Sequence, residues 1–361
     1  MSTTTETSTP VEPPRQPGQD RAPMARPSLG RLWDTWGVTA ILLILLALTP
    51  LFAPDFMELE NLQSVLRESA YLGIVAAGMT FAIASGAFDL SVGGQLALVS
   101  VVTLMAYSAG GTAAAIGAAV ATGLACGLVN AGLITRLRVP PFVATLGTLF
   151  VFRGVAYILT QDGPKTLPYD QIDSPFVKIG GLNVAGLPLP FVIMLAVYGA
   201  AWIILRRTAT GRRILSYGSS PAAARFCGIS ENRIRVIVFA LVGVSVGIAA
   251  LTYITRVWTA DGSAQDGFEL KVIAAVVLGG TSLKGGKGTL IGTFSAVLLV
   301  SVLNDVLVSQ GVPSAYQRIV LGCVLIVALT IDGLRTRFAV PGSFRRAVAG
   351  LAARPSASGG A

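Results

Sequence analysis

Residues 90–135 read LSVGGQLALVSVVTLMAYSAGGTAAAIGAAVATGLACGLVNAGLIT, 46 positions without one charged side chain. A helix needs roughly 20 predominantly apolar residues to cross the hydrocarbon core of a bilayer, which is ~30 Å thick. This run is therefore long enough for two crossings, and Gly110-Gly111 near its middle supplies the turn between them. The rest of the chain has the same character. Of its 361 residues 53% are hydrophobic and 12% charged, and mean hydropathy is +0.70. A soluble domain carries about 25% charged residues. The sequence is predicted to be an all-α polytopic membrane protein.

Working outward from 90–135, further uncharged or nearly uncharged runs occupy 36–54, 69–88, 139–161, 179–205, 236–255, 288–308 and 313–331. The first is too long, and too far from the N-terminus, for a cleaved signal segment. The run at 139–161 opens on Pro140-Pro141, which suits a helix entrance, and contains one charge, Arg153. A shorter run, 272–283, reaches only ~18 Å as a helix. It either extends into polar residues shielded by protein or is a broken, re-entrant element beside a cavity. Counting it gives about ten transmembrane helices with both termini cytoplasmic. On that topology the inner loops hold 20 of the 27 Lys and Arg residues, while the outer loops hold five of them and ten of the 18 acids. Removing one crossing would put Arg335, Arg337, Arg345, Arg346 and Arg354 outside, against the positive-inside rule. Residues 1–35, rich in Ser, Thr and Pro, read as a disordered cytoplasmic arm. The transmembrane body is 36–335, and 336–361 is a cytoplasmic tail.

Several kinds of chemistry are excluded. There is no histidine, hence no His-based triad, His metal ligand or His general base. Cys126, Cys227 and Cys323 lie far apart with no metal-ligand spacing, and each reads as a small buried apolar residue. No catalytic residue, metal or cofactor is assigned. Residues 283–289, LKGGKGT, fail as a phosphate loop, because Lys287 is followed by Gly288 and Thr281 stands where glycine is needed. Nucleic acid is not a partner, since the net charge of +9 follows the membrane topology and forms no patch. Gly123-x-x-x-Gly127 and Gly243-x-x-x-Gly247 fit close packing of membrane helices.

The one long inner connection, 206–235, reads RRTATGRRILSYGSSPAAARFCGISENRIR. Pro221 suits a first helical turn, Ala222-Ala223-Ala224 continue it, Ser219 or Ser220 caps it, and Gly228 ends it. Its seven arginines fit either anionic lipid headgroups or a docked protein.

Three segments carry a resemblance. Residues 78–94 (GMTFAIASGAFDLSVGG), 211–229 (GRRILSYGSSPAAARFCGI) and 268–292 (FELKVIAAVVLGGTSLKGGKGTLIG) are similar, in the same order and spacing, to permeases of bacterial ABC importers of the ribose/xylose (pentose and hexose) class. The likeness covers about 37–335. It implies a multi-pass permease of the bacterial inner membrane that pairs with a second permease copy. The further partners it implies are an ATP-binding cassette subunit, which hydrolyses ATP, and an extracytoplasmic sugar-binding protein. It also implies that 206–235 is the ATPase-coupling loop. Gly211, Pro221, Ala222, Ala223, Arg225, Gly228 and Ile229 fall on matching positions, with Arg212 and Arg213 beside them. Ser220, where such permeases often carry Asn, and Lys271, where an acidic or small residue is usual, are departures. A branched-chain amino-acid or autoinducer permease shares the fold and is the alternative. An ion-coupled secondary transporter would need titratable groups at mid-membrane, which this chain nearly lacks.

Four residues are candidates for the translocation pathway: Asp89 and Ser91, between two apolar helices, and Asn304 and Asp305, near the end of the ninth. Asp89 equally reads as a cap for the following helix. Tyr316 and Gln317 join Asn304 and Asp305 as groups suited to a sugar. Arg153 reads as one side of a structural ion pair or of a carbonyl contact, and Tyr157 and Trp258 as interface aromatics.

Overall fold

The doubled run folds as two helices. A computed structural model describes residues 29–320 apart from 168 and 172, together with 322, 323, 326 and 330. Helix α3, Val92–Thr135, is broken where Gly110 takes φ −149° and Gly111 takes φ +70°, a left-handed backbone that suits glycine. Its arms are 92–109 and 112–135. Around it lie α1 (Leu29–Phe52), α2 (Leu59–Ala84), α4 (Pro141–Thr160), α5 (Pro175–Gly181) and α6 (Leu189–Arg207), then α7 (Ala209–Ser219), α8 (Pro221–Phe226), α9 (Glu231–Val257), α10 (Phe268–Leu278) and α11 (Leu290–Ser309). Residues 314–320 are again helical. Helices α3, α4, α6, α9 and α11 are long and apolar enough to cross a membrane, and α1 contains a shorter apolar stretch, Trp36–Leu51. The architecture is that of an all-α integral membrane protein. Among the described residues there are four strands, β1 (Lys165–Thr166), β2 (Asn183–Val184), β3 (Leu187–Pro188) and β4 (Thr259–Ala260), of two residues each, pairing β1 with β4 and β2 with β3.

Helix α2 is the axis of the bundle. From Ser69 to Ala84 every residue is buried, which is why that stretch is apolar all round its circumference. It packs against α6, α9, α10 and α11. The second arm of α3 crosses α9, and both sides of the crossing are glycines. The bundle has two ends. One carries α7, α8 and the 281–288 turns, and is called here the α8 end. The other carries α5, the 183–188 hairpin and the 258–267 loop.

Two elements stop inside the bundle with the same device. After α2, Gly86 (φ +77°) donates to the Ile83 carbonyl and Ala87 to that of Ala82. After α10, Gly280 (φ +86°) donates to Val277 and Thr281 to Val276. Both are Schellman closures, which satisfy the last carbonyls of a helix that ends in protein.

Three expectations change. The short segment at 272–283 extends into polar residues shielded by protein, one of the two alternatives its length left open, and the residues it takes in are counted above as an outer loop. Helix α10 starts four residues earlier, includes Glu269 and Lys271, and stops at Leu278 after 11 residues, a length of ~16 Å. Glu269, counted above as an outer-loop acid, is a buried first-turn residue, where a carboxylate suits the helix dipole. The run 179–205 is not one helix, because Ala185 and Gly186 at positive φ turn β2 back on β3 and α6 begins only at Leu189. Cys126 is buried, but Cys227 and Cys323 are exposed. The 1–28 part of the arm and the 336–361 tail lie outside the described residues, as do seven positions of the 313–331 run; 29–35 already belong to α1.

Candidate functional site

At the α5 end, α2, α10, α11 and the 314–320 helix enclose a cleft. Its inner wall is Glu68, Tyr71, Phe268, Lys271, Ser301 and Asn304, with Gln317 across from them. It continues into a cavity of about 420 Å³ between Asp266, Lys271, Asn304, Gln317 and Arg318, a size typical of small-molecule sites. Tyr71 stacks on Phe268 with centroids 5.8 Å apart, and Tyr253 meets Tyr71 edge-on at 5.4 Å. Asn304 Nδ2 donates to Glu68 Oε1 at 3.1 Å, and Arg256 lies 3.6 Å from Glu68 Oε2. The cleft thus offers amide, carboxylate and ammonium groups over an aromatic floor. Such a set can exchange hydrogen bonds with a polyhydroxylated molecule.

The sequence candidates divide across this site. Asn304 and Gln317 line the cleft; Asp305 and Tyr316 do not. Neighbouring residues on a helix point about 100° apart, so Asn304 and Asp305 cannot share one face. The Asp305 side chain leaves Oδ2 buried without a hydrogen bond among the described residues. Tyr316 is exposed. Arg153 forms the ion pair expected of it, with Asp266. Tyr157 packs on Gly262, and the Trp258 indole donates to the Thr255 carbonyl at 2.8 Å. Glu68, Tyr71 and Phe268 were missed, because Tyr71 and Phe268 sit 197 positions apart and nothing local marks their contact.

Asp89 and Ser91 are brought together in a closed network away from the cleft. Asp89 is fully buried. Its Oδ1 accepts from Ser91 N (2.9 Å) and Ser91 Oγ (2.5 Å), its Oδ2 from Gln95 Nε2 (3.2 Å), and both face Asn130 Nδ2 at 3.4 Å. Asn130 also donates to Ser91 Oγ and accepts from Thr148 Oγ1, both at 2.7 Å. The α3 cap position itself belongs to Ser91. Asp89 sits two residues earlier, where it closes an Asx turn and ties both α3 arms to α4.

At the other end, 206–235 contains α7 and α8, and the capped helix expected there begins at Pro221. Thr208 caps α7 through Gly211 N at 3.2 Å, and Ser220 caps α8 through Ala223 N at 3.3 Å. Gly228, at φ +74°, lets Ile229 N return to the Ala224 carbonyl at 3.0 Å. Gly211 and Ala224 are buried; Arg212, Arg213, Pro221, Ala222, Ala223, Arg225 and Gly228 face outward, and Ile229 is half-buried. Arg225 bonds Glu231 at 2.6 Å, and that hydrogen bond pushes the guanidinium's pKa further up. Burial raises the Tyr217 phenol, over which Arg235 lies at 5.3 Å. Phe226 is 93% exposed. Its signal in the sequence was a lone aromatic on a short polar helix, legible only once the helix faces were known.

Residues 61–329 match the family described as "Branched-chain amino acid transport system / permease component". The chain is 38% identical over 292 residues to the ribose import permease protein of Escherichia coli (strain K12), covering 81% of this chain and 91% of that one. With the ribose import permease protein of Bacillus subtilis (strain 168) identity is 37% over 292 residues, covering 81% and 90%. The L-arabinose transport system permease protein of E. coli (strain K12) is 32% identical over 319 residues, covering 86% and 94%. This chain belongs to the permease family. No solved structure matches it. Among the described residues of the permease, no group of three or more His, Cys, Asp or Glu side chains is placed to hold a metal ion.

Proposed function

We propose that this permease is the membrane subunit of an ATP-driven importer of a neutral monosaccharide, a pentose or hexose. The observation that carries the reading is the 38% identity, over 81% of the chain, to permeases named for ribose import. The cleft at the α5 end supports it with Glu68, Asn304 and Gln317 as hydroxyl partners.

In the proposed topology ten crossings place both termini and the α8 end in the cytoplasm of a bacterial inner membrane. The segregation of Lys and Arg supports that orientation. An extracytoplasmic binding protein delivers the sugar to the α5 end. Two permease copies form the route, and a separate cassette subunit binds and hydrolyses ATP against α7 and α8. Closure of the cassettes moves α7 and α8, and the helices alternate access between the two faces. Gly211, Arg212, Arg213, Pro221, Ala222, Ala223, Arg225, Gly228 and Ile229 form the coupling loop, and Asn304 belongs to the pathway. Asp89 and Ser91 hold the helices that border it.

The test is uptake by proteoliposomes containing the permease, its neighbouring cassette subunit and its binding protein. Labelled ribose, xylose, arabinose, glucose and leucine are each supplied with ATP inside. Sugar uptake that requires all three components is expected. Leucine uptake alone, or uptake driven by an ion gradient without the cassette subunit, overturns the reading.

The docking face gives a second prediction. Ala223→Asp and Phe226→Asp place a charge on the outward face of α8 and disturb no buried contact. Uptake and stimulation of ATPase by the permease should both fall at least about tenfold, with insertion unchanged. Normal stimulation in both variants would remove α8 from the coupling role.

A further inference from the structure

Three chain segments meet where α7 ends, largely backbone to backbone, with the short Ser219 side chain the nearest neighbour of Gly286. They are the end of α2 (84–86), the end of α7 (218–219) and the turn 285–288 that joins α10 to α11. Gly286 N donates to the Ala84 carbonyl at 2.8 Å. A Cβ on Gly218 would lie 2.0 Å from that carbonyl oxygen and 2.6 Å from Gly286 N. One on Gly285 would lie 2.7 Å from Gly218 O and 3.0 Å from Gly86 N, and one on Gly286 would lie 2.8 Å from Ser219 Cα. The turn is held from within, by Ser282 N to Lys287 O (3.1 Å) and Gly285 N to Ser282 O (3.0 Å). Its glycines at 285 and 286 adopt φ +83° and +79°.

We infer that Gly218, Gly285 and Gly286 are the coupling junction of the transporter, where motion of the ATPase-docking helices passes at once to the end of α2 and to the short α10 with its following turn. This rests on the ATP-driven reading above. The α2 segment leads through Gly86 into the Asp89 turn and α3. The 285–288 segment lies between the half-length α10 and α11. Helix α7 therefore touches the α2 end and the 285–286 turn directly. Packed backbone does not compress, so a displacement of the α7 end is not absorbed by rotamer changes, as it would be across a side-chain contact. Two glycine-ended helices, free to tilt at Gly86 and Gly280, receive the displacement. The three glycines are positioning residues: they touch neither sugar nor nucleotide.

The experiment compares Gly218→Ala with wild type in the assembled importer, reading sugar taken up per ATP hydrolysed. Gly199→Ala, whose added Cβ meets nothing within 4 Å, is the control. In Gly218→Ala the cassette subunit stays bound and ATPase remains within about twofold of wild type, while uptake per ATP falls at least about tenfold. A purely structural contact would change the amount of assembled transporter and leave that ratio alone. Should Gly218→Ala fail to insert, Gly288→Ala takes its place, since its Cβ presses on Ala84 Cβ at 3.2 Å without a backbone clash. It should lower the ratio about two- to threefold. An unchanged ratio in either inserted variant overturns the junction. Loss of ATP-dependent uptake in wild type would instead overturn the ATP-driven reading.

Discussion

Asp89→Ala is expected to leave less than about a tenth of the wild-type amount of folded permease in the membrane. The reason is the number of donors that converge on one carboxyl. Ser91 N–H and the Ser91 hydroxyl both give to Oδ1. Gln95 and Asn130 retain Ser91 Oγ as an alternative acceptor at 2.7 Å each. The two Ser91 donors have no such alternative, and an orphaned buried donor costs about 1–3 kcal/mol. A loss of about 2–5 kcal/mol removes much of the stability of a typical domain. Asp89→Asn keeps an acceptor for Ser91 but sets an NH₂ group against the Gln95 and Asn130 amides, so an intermediate amount is expected. Gel filtration of the detergent-extracted, fluorescently tagged permease measures both. The outcome also separates two readings of Asp89. A pathway residue would let Asp89→Ala insert at wild-type level and lose only transport.

The same residue marks where sequence reasoning stops. Polarity and position identified Asp89 as special, but not whether it faced a route or a lock. The hydrogen bonds that favour the lock come from Asn130 and Thr148, which lie 41 and 59 positions away on other elements. Local features were read well. Gly110-Gly111 sits at the middle of a doubled run, and its left-handed backbone suits glycine. Ser220, Pro221 and Gly228 bound α8 by capping rules that need no tertiary partner. The helical course of 221–226 was legible for the same reason.

Features decided by what surrounds a residue were misread. A charge-free criterion assumes that lipid is the solvent, so it ended the eighth segment outside Glu269 and Lys271. Both belong to α10, because Glu269 is enclosed by protein beside Arg153 and the start of α3, and Lys271 faces the cleft. The run 179–205 shows the converse. Its apolarity was correct, yet apolarity does not distinguish a helix from a hairpin, and the Gly and Pro residues at 180–190 carried the information. The pairing of Asn304 with Asp305 as one site ignored helical geometry, which turns one to Glu68 and the other away.

Gly243→Val should be as damaging as Asp89→Ala, by a steric route. A Cβ on Gly243 would sit 2.2 Å from Gly123 O, and one on Gly123 would sit 2.3 Å from Gly243 O. Gly127 meets Phe239 O at 2.2 Å and Gly247 meets Ala119 O at 2.7 Å in the same way. Four glycines thus let the second arm of α3 and α9 cross with backbones in contact. In a bilayer, dispersion and weak backbone contacts of this kind replace the hydrophobic drive between helices. A single methyl demands a separation of about 1 Å or more, which forfeits a quarter to a half of each contact along the crossing. Valine adds two further carbons, and a cost of about 3 kcal/mol or more is expected. Gly199→Val, with no atom within 4 Å of its Cβ, should be near neutral. The mechanism makes a sharper claim about the smaller substitutions. Gly123→Ala and Gly243→Ala each open the same gap, so the second substitution meets helices already apart. The double variant should therefore lose less thermal stability than the sum of the singles, by about 1 kcal/mol or more. Additive losses would mean that the two glycines act separately and that the crossing is not held by mutual backbone contact.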